Sequence, residues 1–109
     1  MAAPGTTAGK LRLAALPARD AQQLVGTHGL PRIGPNSITD PDRYLAELET
    51  VRATGYAVND EETDVGVRFV GVRIELIAGQ PGPALVLGAP KHRLAYDDYP
   101  RIAAMLADA

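Results

Sequence analysis

The segment that most constrains the fold is a run of β-branched residues at positions 65–77. Such side chains favour extended backbone, so the run predicts a long strand. The alternation of apolar residues shifts by one position within the run. Apolar side chains occupy odd positions up to Phe69 and even positions from Val70 onward. Successive side chains of a strand point to opposite faces. The change therefore predicts a β-bulge or a passage between two packing environments.

Two shorter strands accompany this segment and complete a predicted antiparallel sheet. Residues 78–83 are rich in Gly and Pro and predict a turn, after which residues 84–88 return as an antiparallel partner. Residues 56–59 predict the other strand, and the acidic loop 60–64 separates it from the long one. We expect this loop to be a solvated turn.

Helices are predicted on both sides of the strands in the chain order. Thr6 or Thr7 can cap a first helix that runs to about residue 16, and a second helix spans residues 18–25. The third begins with Thr39 as the expected N-cap and ends at Gly55, a residue suited to a left-handed stop.

The last helix has Asp97 or Asp98 as its cap and Pro100 in its first turn. Its expected apolar side comprises Tyr99, Ile102, Met105 and Leu106. The order of helices, strands and helix predicts one α+β domain over residues 1–109.

Composition excludes several classes of function. The 11 Lys and Arg residues are scattered and are outnumbered by 13 Asp and Glu, so this chain is not expected to contact nucleic acid directly. The sequence has no Cys, which removes thiolate nucleophiles and thiolate metal sites. No apolar run approaches the ~18 residues of a membrane span, and no signal-peptide core precedes the domain. We expect a soluble, cytoplasmic protein with no membrane contact.

The predicted sheet has two open edges. Three strands, one of them long and apolar, expose unpaired backbone groups and more apolar surface than a few short helices can cover. We therefore expect the fold to be completed by further N-terminal strands or by a second copy of the chain.

Four stretches of the sequence resemble the C-terminal effector-binding domain of IclR-family transcription regulators. They are residues 6–10, the pair Leu30-Pro-Arg and Ile38-Thr39, residues 49–62, and Gly66-Val-Arg. The third is the most specific, because a helix followed by Gly-Tyr-Ala and an acidic run leads into Gly-x-Arg. Together the stretches cover residues 6–106.

The resemblance implies a fold and a function. The fold would be a GAF-like antiparallel sheet flanked by helices, here lacking its first strands. The domain would bind a small organic or aromatic acid on one face of the sheet, without a cofactor or metal, and would assemble into dimers or tetramers. DNA would be bound by a separate helix-turn-helix domain that is absent from this chain.

The resemblance also carries over a set of ligand-binding positions. They are Thr7, Ala8, Asn59, Phe69, Val86 and Gly88. Backbone N–H groups at a helix start can receive a carboxylate. Family members often carry a carboxylate or hydroxyls where this chain has Asn59, Val86 and Gly88, and a small or polar residue in place of Phe69. We therefore expect a more apolar, partly filled pocket.

Other interpretations of these residues are weaker. The segment Gly5 to Lys10 has three residues between its glycines where a P-loop has four, and Leu11 stands where that motif needs Ser or Thr. The run 59–64 lacks the Gly and the terminal Glu of a calcium loop.

An enzyme is not expected, since hydrolase chemistry would need Ser37, His92 and a carboxylate to converge by chance. The hydrolase or isomerase alternative has no other material than Asn59, Asp60 and the surface residue His28. The leading hypothesis is a small-molecule-sensing and oligomerisation domain of a transcription regulator. The alternative is a fragment that only associates with full-length regulators and binds no ligand.

Overall fold

The computed structural model describes residues 4–74 and 82–108. Within them, the helices and strands follow the expected order. They are α1 (Thr7–Ala14), α2 (Ala18–His28), α3 (Pro41–Thr54), β1 (Tyr56–Asp60), β2 (Val67–Arg73), β3 (Ala84–Pro90) and α4 (Tyr99–Ala107). Two short 3₁₀ turns, Lys91–Arg93 and Tyr96–Asp98, connect β3 to α4. No helix among the described residues is long and apolar enough to span a bilayer.

The three strands form an antiparallel sheet in the order β1-β2-β3. The expected β-bulge is wrong, because β2 pairs with β3 without interruption from Val67 opposite Pro90 to Arg73 opposite Ala84. The structure instead shows two packing environments, the other explanation that the sequence left open, since both faces of β2 are covered. α1 packs on one face and α4 on the other, so Val70, Gly71 and Val72 are all buried.

The ends of the long predicted strand also differ from expectation. Val65 is 79% exposed and lies outside β2, because Gly66 turns the backbone with a φ of 75° just before the strand begins. The strand expected over residues 65–77 is therefore shorter at its start. Its last three positions, and most of the turn expected at 78–83, lie outside the described residues.

Each face of the sheet has its own apolar core. On the α1 face the buried cluster comprises Leu11, Leu13, Ala14, Ala21, Val25, Ile38, Tyr44, Leu48, Val51 and Ala57. On the α4 face it comprises Val70, Val72, Leu94, Tyr99 and Ala103. Met105 was expected in this second core but is 60% exposed. Tyr99 and Ala103, which lie four residues apart on one face of α4, are buried in its place.

Local hydrogen bonds explain most helix ends. Thr6 caps α1, and Gly55 ends α3 in the left-handed conformation, as expected. The N-cap of α3 is Asp40 rather than Thr39, and its carboxylate accepts a hydrogen bond from the Arg43 N–H. Pro41 accounts for the shift, because proline favours the first helical position and so fixes the cap one residue before it.

Candidate functional site

A cavity of about 250 Å³ lies on the α1 face of the sheet, beside the start of that helix. The residues that line it are Thr6, Thr7, Ala8, Asn59, Thr63, Asp64, Phe69 and Val86. Five of the six positions expected from the sequence therefore lie together, and the sixth, Gly88, lies beneath the Phe69 ring. Thr6, Thr63 and Asp64 were not anticipated.

Strand register places these residues in two rows across the sheet. Phe69 of β2 lies between Asn59 of β1 and Gly88 of β3. In the next row, Gly71 lies opposite Val86. A Cβ added to Gly71 would lie only 2.7 Å from Thr7 Cγ2, so the absence of a side chain lets the start of α1 approach the sheet.

The start of α1 brings several polar groups to the cavity. Thr6 Oγ1 accepts from the Gly9 N–H at 3.0 Å, and Thr6 O accepts from the Lys10 N–H at 3.0 Å. The first-turn amides of Thr7 and Ala8 have no intrahelical acceptor, and this end of a helix is electropositive. Thr7 is 3% exposed, and its Oγ1 has no hydrogen-bond partner among the described residues.

Asn59 forms a wall of the cavity rather than a free ligand group. Its Nδ2 donates to Thr63 Oγ1 at 3.0 Å and to Gly5 O at 3.4 Å. Its Oδ1 accepts from the Glu62 N–H at 2.9 Å, and the residue is 2% exposed. The side chain thus holds the acidic loop against the segment that precedes α1.

Among the described residues that line the cavity, Asp64 alone has a charged side chain, and it lies at the exposed rim. Its Oδ2 accepts a hydrogen bond from Thr63 Oγ1 at 3.0 Å. A negative rim disfavours an acid bound there.

A buried ion pair fixes α1 to the rest of the site. Lys10 Nζ donates to Val58 O at 2.6 Å and to Glu62 Oε2 at 2.9 Å, and Glu62 Oε1 lies 2.7 Å away. The lysine side chain is fully buried. One sequence signal indicated this burial of Lys10. The residue lies three and four positions before Leu13 and Ala14, and therefore on the same, buried face of the helix.

The loop that precedes α3 holds the acidic loop in place through hydrogen bonds. Ser37 Oγ accepts from the Ile33 and Gly34 N–H groups at 2.9 Å each, and donates to Glu62 O at 2.6 Å. Asn36 Nδ2 donates to Asp60 O at 2.9 Å. The expectation of a solvated turn is wrong for Glu62, which is 7% exposed because Lys10 neutralises it in the interior.

A second polar cluster lies on the α4 side of the sheet. Arg68 pairs with the first residue of the acidic loop, since its Nε donates to Asp60 Oδ1 at 2.9 Å. Tyr96 OH donates to Asp60 Oδ2 at 2.5 Å. Partial burial alone would raise the pKa of Asp60, but the hydrogen bonds from Tyr96 and Arg68 hold that pKa below its usual value. This cluster fastens the 3₁₀ segment to the sheet.

A larger groove of about 530 Å³ follows β1 on the side away from β2. Its lining includes Asn36, Ser37 and Glu62, whose side chains already form hydrogen bonds with other protein atoms. His28 and His92 are exposed. Among residues 4–74 and 82–108, no group of three His, Cys, Asp or Glu side chains could hold a metal ion.

Comparison with known proteins gives the same account of the fold. The model of the family described as bacterial transcriptional regulator IclR C-terminal matches residues 3–109. A probable HTH-type transcriptional regulator ArcR from Halobacterium salinarum is 36% identical over 89 residues, covering 82% of this chain and 34% of that protein. The chain thus spans about a third of that relative's length.

Solved structures superpose closely. The inducer-binding domain of a double mutant of the PobR transcription factor from Acinetobacter, in complex with 3-hydroxybenzoic acid, has a TM-score of 0.87 and 26% identity. The match covers 99% of this chain and 62% of that one. The IclR protein of Thermotoga maritima has a TM-score of 0.80 and 29% identity, covering 95% of this chain and 43% of that one. The resemblance noted in the sequence is confirmed, and the GAF-like α+β fold with it. The chain belongs to the C-terminal domain family of the bacterial IclR transcriptional regulators.

Proposed function

We propose that this domain senses a small organic acid, bound in the α1 cavity, on behalf of a transcription regulator. The observation that carries the proposal is the buried Thr7 Oγ1, which has no partner in the described part of the chain and lines the cavity beside the helix start. Leaving a hydroxyl buried and unpaired costs free energy, and a bound carboxylate would remove that cost. The PobR domain, with 3-hydroxybenzoic acid bound, supports the same ligand class.

Ligand binding in the α1 cavity can affect the sheet through the ion pair between Lys10 and Glu62. The ligand would contact the first turn of α1, and Lys10 in the next turn bonds to β1 and to the acidic loop. An acid that binds one arrangement of these elements more tightly shifts the population toward it. The relatives named HTH-type are much longer than this chain, so DNA contact would be made elsewhere in the regulator. Both sensing and DNA contact would take place in the cytoplasm.

Thr7→Val tests this site, because valine keeps the shape of threonine and removes only the hydroxyl. Thermal melts of the 109-residue chain should show stabilisation by acids from a panel of small aliphatic and aromatic carboxylates. In Thr7→Val the ligand-free melting temperature should be unchanged or higher, because an unpaired hydroxyl is lost, while acid affinity should fall about tenfold.

Thr27→Val is the matched control, since Thr27 lies exposed on α2 and is not one of the residues that line the cavity. It should leave acid affinity unchanged. Stabilisation by no acid in the panel, or an equal response of wild type and Thr7→Val, would contradict the proposed site.

The open edge of β3 supports oligomerisation as a second part of this function. Within the described residues β3 pairs only with β2, and its burial is slight along most of its length. It carries no charged residue, and Val86 and Leu87 are 39% and 36% exposed. An uncharged edge of this kind readily pairs with another strand. The strand could come from a second copy, or from a full-length regulator in the alternative hypothesis of a non-sensing fragment.

Leu87→Lys tests the edge, because a lysine on an edge strand opposes pairing with another strand. Light scattering should show a dimer or tetramer for the wild-type chain and a shift toward monomer for the variant. Gln23→Lys, on the exposed surface of α2, adds the same charge away from the edge and should keep the wild-type mass. An equal shift in both variants would assign the effect to charge alone and contradict an interface at β3.

A further inference from the structure

The two edges of the sheet differ in the backbone groups that they offer to another strand. In an antiparallel ladder every second residue bonds to the neighbouring strand, and the residues between point away from it. The Glu61 N–H donates to Val67 O at 3.1 Å, in register with the pairs of β1 and β2, so the odd-numbered residues of β1 bond to β2. The residues of β1 that point away from β2 are therefore Tyr56, Val58 and Asp60.

Side chains from outside the sheet occupy outward-facing groups of β1. Lys10 Nζ donates to Val58 O at 2.6 Å, and Asn36 Nδ2 donates to Asp60 O at 2.9 Å. The Asp60 N–H donates to Glu62 Oε2 at 3.1 Å. Lys10 and Glu62 are both buried, so another strand could bond here only by breaking their ion pair. The β1 edge is thus closed to strand pairing.

The β3 edge presents the same kinds of group without protein partners. The Ile74 N–H donates to Pro83 O at 3.0 Å, in register with the pairs of β2 and β3, so the odd-numbered residues of β3 bond to β2. The outward-facing residues with both an N–H and a C=O group are Ala84, Val86 and Gly88. In the described part of the chain, none of these groups forms a hydrogen bond. Pro90, which has no N–H, ends the series.

The outward-facing groups of β3 complement a second copy of themselves. Ala84 and Gly88 lie symmetrically about Val86 in the sequence. When two β3 strands meet antiparallel with Val86 opposite its copy, Ala84 of one strand lies opposite Gly88 of the other, and all of these groups are paired. The same register brings Leu85 beside Leu87 of the second copy on the α4 face. Because β3 carries no charged residue, no like charges oppose the pairing.

We propose that two copies of the chain pair through β3 with the two-fold axis at Val86, and that the closed β1 edge stops strand pairing at the dimer. The inference rests on the oligomerisation part of the proposed function and names its partner and register. The two three-stranded sheets would form one continuous sheet with β1 at both ends. Pairing of β3 with the β1 of another copy would instead repeat into an open filament.

Cysteine cross-linking tests the register, because the chain has no Cys of its own. Hydrogen-bonded antiparallel residues have Cα atoms about 5.5 Å apart, which a disulfide can span. Val86→Cys should therefore give a disulfide-linked dimer on mild oxidation. Ala84→Cys is the matched control on the same edge, and its copy would lie roughly 14 Å away. Non-reducing electrophoresis should show cross-linking at least ~10-fold faster in Val86→Cys, and a thermal melt of each reduced variant checks its fold.

Val86→Pro tests whether β3 is the edge that assembles. Proline removes an N–H that points away from β2, so the sheet within one copy keeps its hydrogen bonds while both bonds at the two-fold axis are lost. Light scattering should give a dimer for the wild-type chain and a monomer for the variant. If Val86→Pro does not fold, the two cysteine variants still decide the register.

The outcomes separate the proposal from the function on which it rests. Equal cross-linking of Ala84→Cys and Val86→Cys in a dimeric chain would overturn the register and leave oligomerisation in place. Wild-type assemblies larger than a dimer, or a dimeric Val86→Pro, would overturn the restriction to β3 pairing. A monomeric wild-type chain at every concentration measured would leave this edge to a strand of another protein, such as a longer regulator. That result would overturn both the proposal and the oligomerisation part of the proposed function.

Discussion

Replacing Lys10 by methionine should lower the free energy of unfolding by about 3–5 kcal/mol, because it leaves the Glu62 carboxylate buried without its counter-charge. The lysine side chain is fully buried and bonds to both Glu62 and the Val58 carbonyl. Methionine has a similar length and no charge, so the loss reports the ion pair rather than a cavity. Urea unfolding monitored by circular dichroism gives the free energy directly.

Two further variants separate the ion pair from the helix that carries it. In Lys10→Met/Glu62→Gln both charges are gone, while the glutamine oxygen can still accept from the Asp60 N–H that Glu62 Oε2 binds at 3.1 Å. Most of the lost stability should return, since replacing both partners of a buried pair is far less costly than removing one. Arg12→Met changes an exposed cation on the same helix and should stay within about 0.5 kcal/mol of wild type. A cost below about 1 kcal/mol for Lys10→Met would show that Glu62 is solvated in solution.

The ion pair shows why part of the site could not be predicted from the sequence. Lys10 and Glu62 are 52 positions apart, and no local pattern relates them. Glu62 stands in a run of acidic residues that, taken by itself, is typical of a solvated turn. Only the tertiary approach of α1 to β1 shows that one member of that run is buried and neutralised.

Features that depend on neighbouring residues were predicted well. The cap at Thr6, the left-handed stop at Gly55 and the antiparallel return of β3 each rest on a few adjacent positions, and the structure has all three. The errors arose where tertiary packing intervened. The apparent phase change at Phe69 came from two helices covering opposite faces of β2, which a strand pattern cannot distinguish from a bulge.

The cavity was predicted through resemblance, and its chemistry was not. Family likeness brought Thr7, Ala8, Asn59, Phe69 and Val86 together, as the structure does. It could not show that the Asn59 amide is already occupied by protein partners, or that the Thr7 hydroxyl has no hydrogen-bond partner in the described part of the chain. Hydrogen-bond satisfaction is a property of the folded neighbourhood, so residue identity alone leaves it open.

Replacing Gly34 by alanine should lower the free energy of unfolding by about 3 kcal/mol, because the added methyl collides with backbone that cannot rotate away. A Cβ at Gly34 would lie 2.6 Å from both the C and O atoms of Glu62, and 2.8 Å from the Thr63 N atom. The φ of Gly34 is not positive, so the expected loss comes from the close approach of the two loops and not from a left-handed backbone.

Gly26→Ala is the matched control for this close approach, and its effect should have the opposite sign. A methyl at Gly26 would meet nothing within 4 Å, and the residue lies inside α2, where alanine is favoured over glycine by roughly 0.5–1 kcal/mol. Urea unfolding should therefore separate the two alanine variants by about 4 kcal/mol. Equal stabilities of the two variants would contradict the close packing of Gly34 against the Glu62 backbone. A selective loss in Gly34→Ala would show that the loop before α3 holds the acidic loop in place, and with it the carboxylate that neutralises Lys10.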